Sequence, residues 1–114
     1  MSYTLYGLKN CDTCRKALKA LEAAGKKVTF VDIRGDDVDP HDIETWLLEV
    51  EWEALLNKRS TTWRKLSDAK KKNIDEAKAV NLMAANRTLI KRPVVKWGDE
   101  IFVGWGKDTQ EALL

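Results

Sequence analysis

The chain has 114 residues, about the size of one domain, and its 44% hydrophobic and 33% charged residues are typical of a globular protein. The formal net charge of +2 is too small to suggest nucleic acid or an anionic membrane as a direct partner. No apolar run approaches the roughly 18 residues that a membrane span requires, and the N-terminus shows no pattern of an export signal. We therefore expect a cytoplasmic protein whose two cysteines are kept reduced.

The first third of the chain has the pattern of a strand, a helix and a second strand. Residues 3–6 alternate β-branched and aromatic side chains and end at Gly7, which predicts a strand. Residues 12–24 place apolar side chains three and four apart, which predicts a helix closed by Gly25. Residues 28–33 then form a second predicted strand. Because the joins are short, this is a βαβ unit with parallel strands.

The middle of the chain is predicted to be helical and its end to be mixed. Asp39 and Pro40 are a predicted cap and first turn, and further helices are expected at 52–57, 67–72 and 74–85. The dipeptide Arg92-Pro93 precedes a predicted hairpin of 94–97 and 101–103, and a helix at 108–113 ends the chain. One α/β domain accounts for the whole sequence.

Cys11 and Cys14 form a Cys-x-x-Cys motif where the first strand passes into the first helix. A thiol at that junction meets unsatisfied backbone N–H groups and the positive end of the helix dipole, which favour the thiolate. Neighbouring basic side chains add positive potential, while Asp12 opposes it. Cys11 is therefore the predicted reactive sulfur, and Cys14, one helical turn on, is near enough to form a disulfide after a modest adjustment.

The motif has two other interpretations. A zinc site is not expected, because there is no second Cys-x-x-Cys pair and His41 is the only histidine. Cys14 can equally be a buried helix residue that serves packing, as free cysteines often do. A redox role and a packing role for Cys14 both remain open at this point.

Four segments of the sequence together resemble the arsenate reductase (ArsC)/YffB/Spx family, and YffB-type proteins most of all. They run in the family's order over essentially the whole chain: Gly7-Leu8-Lys9-Asn10-Cys11-Asp12-Thr13, Trp52-Glu53-Ala54-Leu55-Leu56-Asn57, Thr61-Thr62-Trp63-Arg64-Lys65-Leu66 and Ile90-Lys91-Arg92-Pro93-Val94. The resemblance implies a single α/β domain over residues 1–114 with a thioredoxin-like fold. It also implies a helical insertion at about residues 40–86, between the two halves of the sheet.

The resemblance also assigns roles to individual residues. Cys11 matches the family's catalytic cysteine, and Arg92 matches a catalytic arginine that directly precedes a cis-proline, here Pro93. Asn10, Thr13, Arg59 and Pro93 are the residues expected to bind substrate. Arg92 is suited to a bidentate contact with a carboxylate or oxyanion, although an arginine before a strand can also be merely solvated. Arg59 belongs either to such an anion site or to an ordinary helix-end loop.

The sequence departs from true arsenate reductases at the arginines that hold the oxyanion. The family uses three; here Arg92 is retained, the first is shifted or replaced by Asn57, and the third falls on Gly104. This departure argues against arsenate turnover. In contrast, Cys14 resembles the second cysteine of the Spx-type regulators, which many YffB-type proteins lack.

The sequence therefore predicts an enzyme, a glutathione-dependent thiol reductase that works through Cys11. Glutathione is the expected thiol co-substrate, glutathione or glutaredoxin the expected partner, and no bound cofactor, metal, membrane or direct nucleic-acid contact is expected. Arsenate reductase is one alternative. The other is an Spx-like redox-sensing regulator that binds RNA polymerase, with Cys11 and Cys14 as its switch.

Overall fold

The computed structural model describes residues 2–35 and 38–114, which fall into two compact units. The first unit is built from the two ends of the chain, the residues up to 35 and Arg92–Leu114. The second is the intervening segment Val38–Lys91. It is helical, whereas the first unit contains the sheet.

The sheet has four strands in the order β2-β1-β3-β4. Strands β1 (Ser2–Gly7) and β2 (Lys27–Asp32) are parallel, as the βαβ pattern predicted. Strands β3 (Val94–Trp97) and β4 (Glu100–Val103) form the predicted hairpin, and β3 also pairs antiparallel with β1. The parallel half precedes the helical segment in the chain and the hairpin follows it, so the expected thioredoxin-like sheet with an insertion between its halves is confirmed.

Helix α1 (Asp12–Ala23) packs its apolar face into the core of the sheet unit. Its buried residues recur at helical spacing, and they join side chains of β1, of β3 and of the final helix α7 (Lys107–Leu113) in one cluster. That cluster consists of Tyr3, Leu5, Cys14, Ala17, Leu21, Val95 and Leu113. The helix ends where predicted, because Gly25 adopts the positive φ of +81° that a side chain would disfavour. At the other end of the helix, Cys14 of its first turn packs against Gly7 at the end of β1.

The helical unit contains five short α-helices and a 3₁₀ turn at Arg87–Leu89 within its described residues. The helices are α2 (Pro40–Trp46), α3 (Trp52–Leu55), α4 (Thr61–Lys65), α5 (Asp68–Lys71) and α6 (Glu76–Ala85). Asp39 caps α2, as predicted. It does so through a reciprocal pair of hydrogen bonds with Asp42. Helix α4 was not predicted, because its sequence has the composition of a basic loop.

Within the described residues, no helix is both long enough and apolar enough to cross a membrane.

Candidate active site

Cys11 occupies the N-cap position of α1, four residues after the end of β1. Its backbone is extended, with φ −94° and ψ 119°, so the residue is the last before the helical turn begins. The Cys11 N–H donates to the Leu8 carbonyl at 3.1 Å, and the Cys11 carbonyl accepts from the Arg15 N–H at 3.0 Å. These two bonds hold the backbone of Cys11 on both sides. Its side chain is half-buried, so the sulfur remains within reach of a small molecule.

The surroundings of the Cys11 sulfur favour its charged form. Partial burial raises the pKa of the thiol, but the backbone N–H groups of Cys14 and Thr13, the Cys14 thiol and the charge of Arg92 all lower it. The lowering influences outweigh burial, so the pKa of Cys11 lies below its ordinary value. In the neutral form the side chain closes no capping hydrogen bond, so these N–H groups are available to a thiolate.

Cys14 is fully buried in the core cluster of the sheet unit. The pKa of its thiol is raised to about 11, chiefly by burial and also by the adjacent Cys11, while the N–H of Leu8 and the charge of Arg92 act in the opposite direction. Cys14 therefore stays protonated at neutral pH and faces Cys11 as a hydrogen-bond donor. The two thiols are free and each influences the pKa of the other, which leaves both predicted roles of Cys14 chemically available.

Arg92 and Pro93 belong to the same unit as Cys11 and are joined by a cis peptide bond. The Arg92 side chain is half-buried and its charge reaches both cysteines, since it lowers the pKa of each. Pro93 is buried, and its carbonyl accepts a hydrogen bond from the Gly104 N–H at 2.8 Å. Gly104, on which the resemblance places the third arginine, thus lies beside Pro93 but offers no guanidinium there.

The other predicted substrate-binding residues are all exposed. Asn10 and Thr13 lie on either side of Cys11, and the Thr13 N–H is one of the groups that stabilise its thiolate. Arg59 lies in the helical unit, in a turn where its N–H donates to Asn57 Oδ1 at 3.0 Å. The sheet unit therefore brings together Cys11, Cys14, Thr13 and Arg92, while Arg59 is described within the other unit.

In the part of the chain that the structure describes, no three His, Cys, Asp or Glu side chains are grouped so as to hold a metal ion. The donors needed for a closed zinc site are thus not assembled around the cysteine pair there.

Residues 6–113 match the ArsC family. A protein of Haemophilus influenzae is 38% identical over 109 residues, which is 96% of each chain. The solved structure of a YffB protein is 40% identical, covers 99% of both chains and has a TM-score of 0.92. An arsenate reductase (ArsC) related protein from Brucella melitensis is 41% identical, with a TM-score of 0.78 over 98% of this chain and 93% of that one.

The chain therefore belongs to the ArsC family, and the resemblance inferred from its four sequence segments is confirmed.

Proposed function

We propose that this protein is a thiol–disulfide oxidoreductase that uses Cys11 as its nucleophile and glutathione as its thiol co-substrate. The observation that carries the proposal is the half-buried Cys11 sulfur at the N-terminus of α1, where N–H groups and a guanidinium lower its pKa. A thiolate, not a thiol, attacks disulfides, so a lowered pKa raises the reactive fraction at neutral pH.

In the first step, the Cys11 thiolate attacks one sulfur of a substrate disulfide. The new S–S bond joins Cys11 to that half of the substrate, and the other half leaves as a thiolate. The Thr13 and Cys14 N–H groups and the charge of Arg92 supply the stabilisation of the attacking sulfur.

In the second step, a thiolate of glutathione attacks the mixed disulfide and takes the bound half away. Cys11 is released as a thiolate, and the disulfide now joins glutathione to the substrate half. Cys14 offers an intramolecular alternative: its sulfur attacks Cys11 of the mixed disulfide, the Cys11–Cys14 disulfide forms, and the substrate half leaves and takes up the proton that Cys14 gives up. Because Cys14 is fully buried, Cys11 is the sulfur within its reach, so it resolves an adduct on Cys11 and does not engage substrate itself.

The anionic groups of glutathione call for cationic and backbone partners, which gives the remaining predicted residues their proposed roles. Arg92 would bind a carboxylate of the tripeptide, and the segment at Pro93 would pair with its backbone. Asn10, Thr13 and Arg59 are proposed to complete the substrate contacts.

Arsenate reduction is the second activity that membership of the ArsC family suggests, and one relative is named as related to an arsenate reductase. The glycine at position 104 argues against efficient turnover of arsenate. It carries no side chain and adopts a φ of +83°, so the position beside Pro93 provides no charge for an oxyanion.

The alternative function, an Spx-like redox-sensing regulator, uses the same two cysteines in a different way. It requires that a Cys11–Cys14 disulfide changes the affinity for RNA polymerase. A pull-down with the C-terminal domain of the polymerase α chain, using the reduced and the oxidised protein, separates this alternative from the enzyme. An enzyme that reduces small disulfides does not need to bind RNA polymerase in either redox state.

The enzymatic activity is tested by the glutathione-dependent reduction of hydroxyethyl disulfide. The reaction is coupled to glutathione reductase, and the consumption of NADPH measures its rate. Cys11→Ser is expected to abolish the activity, and Cys14→Ser is expected to retain most of it, because glutathione can resolve the adduct. Activity that survives Cys11→Ser contradicts the proposal. Efficient consumption of NADPH with arsenate, glutathione, glutathione reductase and glutaredoxin, lost in Cys11→Ser, would establish the arsenate alternative instead.

The role of Cys14 is tested separately by intact mass after treatment with limiting hydrogen peroxide. Peroxide converts the Cys11 thiolate to a sulfenic acid, and attack by Cys14 then forms the disulfide with loss of water. We expect a product lighter by two hydrogen atoms, absent in Cys14→Ser and readily reduced by glutathione. An oxidation pattern unchanged in Cys14→Ser would assign Cys14 to packing alone.

A further inference from the structure

Gly7, the last residue of β1, lies in close contact with Cys14 of helix α1. A Cβ atom built on Gly7 would stand 2.5 Å from the Cys14 sulfur and 3.1 Å from its Cβ. Carbon and sulfur atoms that are not bonded do not approach to 2.5 Å, so any side chain at position 7 would force Cys14 out of its place. The glycine and the position of the Cys14 thiol therefore depend on each other.

The need for glycine here is one of space and not of backbone conformation. The glycines with positive φ among the described residues are Gly25, Gly98 and Gly104. Gly7 has ordinary strand geometry: it pairs with Asp32 in the parallel register, and its carbonyl accepts the Ile33 N–H at 3.1 Å. An alanine would satisfy this backbone equally well, and only the contact with Cys14 excludes it.

The space left by Gly7 holds the Cys14 thiol between two groups. On one side, the N–H of Leu8, the residue that follows Gly7, acts on the Cys14 sulfur. On the other side lies Cys11, and the Cys14 thiol lowers the pKa of its sulfur. Since Cys14 is fully buried, its proton needs an acceptor within the protein, and Cys11 is the neighbouring thiol on which it acts.

We infer that Gly7 is a positioning residue for the cysteine pair: its missing side chain lets the Cys14 thiol stand where it donates a hydrogen bond to the Cys11 sulfur. In this role Gly7 acts on Cys11 through Cys14, the residue that an added Cβ would meet first. The inference rests on the proposed function, because the hydrogen bond matters only if Cys11 reacts as a thiolate.

The effect of Gly7→Ala follows from the sensitivity of hydrogen bonds to geometry. To escape the added methyl group, the Cys14 sulfur must rotate about its Cα–Cβ bond or move with the first turn of α1, and either movement misaligns its S–H. The Cys11 thiolate then loses one of its donors, so the thiolate fraction at mildly acidic pH falls. Cys14→Ala removes the same donor directly, without the steric conflict.

The experiment measures the rate of Cys11 alkylation by iodoacetamide against pH in five proteins. They are the wild type, Gly7→Ala, Cys14→Ala, the double variant Gly7→Ala/Cys14→Ala, and the control Gly106→Ala. Gly106 has a φ of −78° and nothing within 4 Å of an added Cβ, so this control adds the same methyl group where nothing conflicts with it. Thermal unfolding of each protein is recorded alongside.

At mildly acidic pH we expect Cys11 to react about fivefold more slowly in Gly7→Ala and in Cys14→Ala than in the wild type. The double variant should be no slower than Cys14→Ala, and Gly106→Ala should match the wild type. If Gly7→Ala alone does not fold, the double variant is expected to fold, because it lacks the sulfur and retains only the 3.1 Å contact that a small shift relieves.

A Gly7→Ala protein that folds and reacts like the wild type overturns the inference. So does an equal slowing by Gly7→Ala in the presence and the absence of Cys14, and so does a double variant that fails to fold. These outcomes are distinguishable from failure of the proposed function. That failure would appear as a wild-type protein whose Cys11 alkylates like an ordinary thiol and which does not reduce disulfides.

Discussion

At the residue scale, Arg92 influences Cys11 through its charge. Of the influences that lower the pKa of Cys11, this charge ranks below the N–H groups of the first turn. Replacing Arg92 by glutamine should therefore slow the alkylation of Cys11 at mildly acidic pH by only about twofold, and Arg92→Lys should leave the rate unchanged. The measurement is the alkylation rate at low ionic strength. Equal losses in the two variants would contradict an effect of charge.

Arg59 is the predicted substrate-binding residue whose role depends most on the family resemblance. If it binds an anionic group of glutathione, Arg59→Ala should raise the KM for glutathione several-fold and leave kcat little changed. Arg64, an exposed arginine in the same basic segment, provides the matched control, and Arg64→Ala should have the kinetics of the wild type. A KM that rises equally in both variants would indicate a general effect of charge and remove the specific role of Arg59.

The residues of the candidate site differ in how far the sequence could predict them. Cys11 and Cys14 were predicted from a local pattern, a Cys-x-x-Cys motif at a strand-to-helix junction, whereas the prediction for Arg92 depended on the family resemblance. The close contact of Gly7 with Cys14 was not predicted. It arises from the packing of a helical turn on a strand end, and a glycine at the end of a strand otherwise indicates only a turn.

At the scale of elements, helix α4 shows where prediction by pattern fails. It has five residues, begins with two threonines and buries none of its side chains fully, so apolar periodicity could not reveal it. The one residue in the sequence that could have indicated α4 is Ser60, its N-cap. The Ser60 hydroxyl accepts the Trp63 N–H at 3.1 Å and donates to the Asn57 carbonyl at 2.8 Å. A serine before a short polar stretch is a weak signal without that context.

Ser60→Ala should lower the free energy of unfolding by about 1 kcal/mol, because the Trp63 N–H loses its capping partner. Ser67 is the matched control: it is the N-cap of α5, but its side chain makes no capping bond. Ser67→Ala should therefore change the unfolding free energy by much less. Urea titrations of both variants measure the difference. Equal losses would contradict the specific role of the Ser60 hydroxyl.

At the scale of the whole molecule, the two cysteines make the stability of the reduced protein depend on pH in opposite directions. The folded-state pKa of Cys11 is lowered, so between that pKa and the unfolded value of about 8.5 the unfolded chain binds more protons. The contribution of Cys11 therefore grows with pH in this window and is lost as pH falls through the folded pKa. Cys14, whose pKa is raised to about 11, contributes stability that is lost as pH rises toward that value.

Thermal unfolding of the wild type and of Cys11→Ser, both with a reducing agent, measures the first effect. We expect the midpoint of the wild type to rise relative to that of Cys11→Ser from mildly acidic pH up to about pH 8.5. A difference that is constant over this range would mean that the folded protein does not stabilise the Cys11 thiolate.

The arrangement of the sheet also belongs to this scale. Local patterns predicted both the parallel pair and the hairpin, because each is formed by segments close in the sequence. The pairing of β1 with β3, in which Leu5 lies opposite Val95, joins segments about ninety residues apart in the chain. No local pattern specifies such a pair, and it was not predicted; the family resemblance implied only a thioredoxin-like sheet as a whole.

The central claim is that the fold stabilises the thiolate of Cys11, and the pH dependence of Cys11 alkylation tests it most directly. The rate is measured in Cys14→Ser, so that a single thiol is followed, both in the native protein and in the same protein unfolded in urea. We predict that the rate in the native protein rises at a lower pH than in the unfolded one, because the N–H groups of Thr13 and residue 14 remain in place. A native profile that coincides with the unfolded profile, or lies at higher pH, would contradict the account.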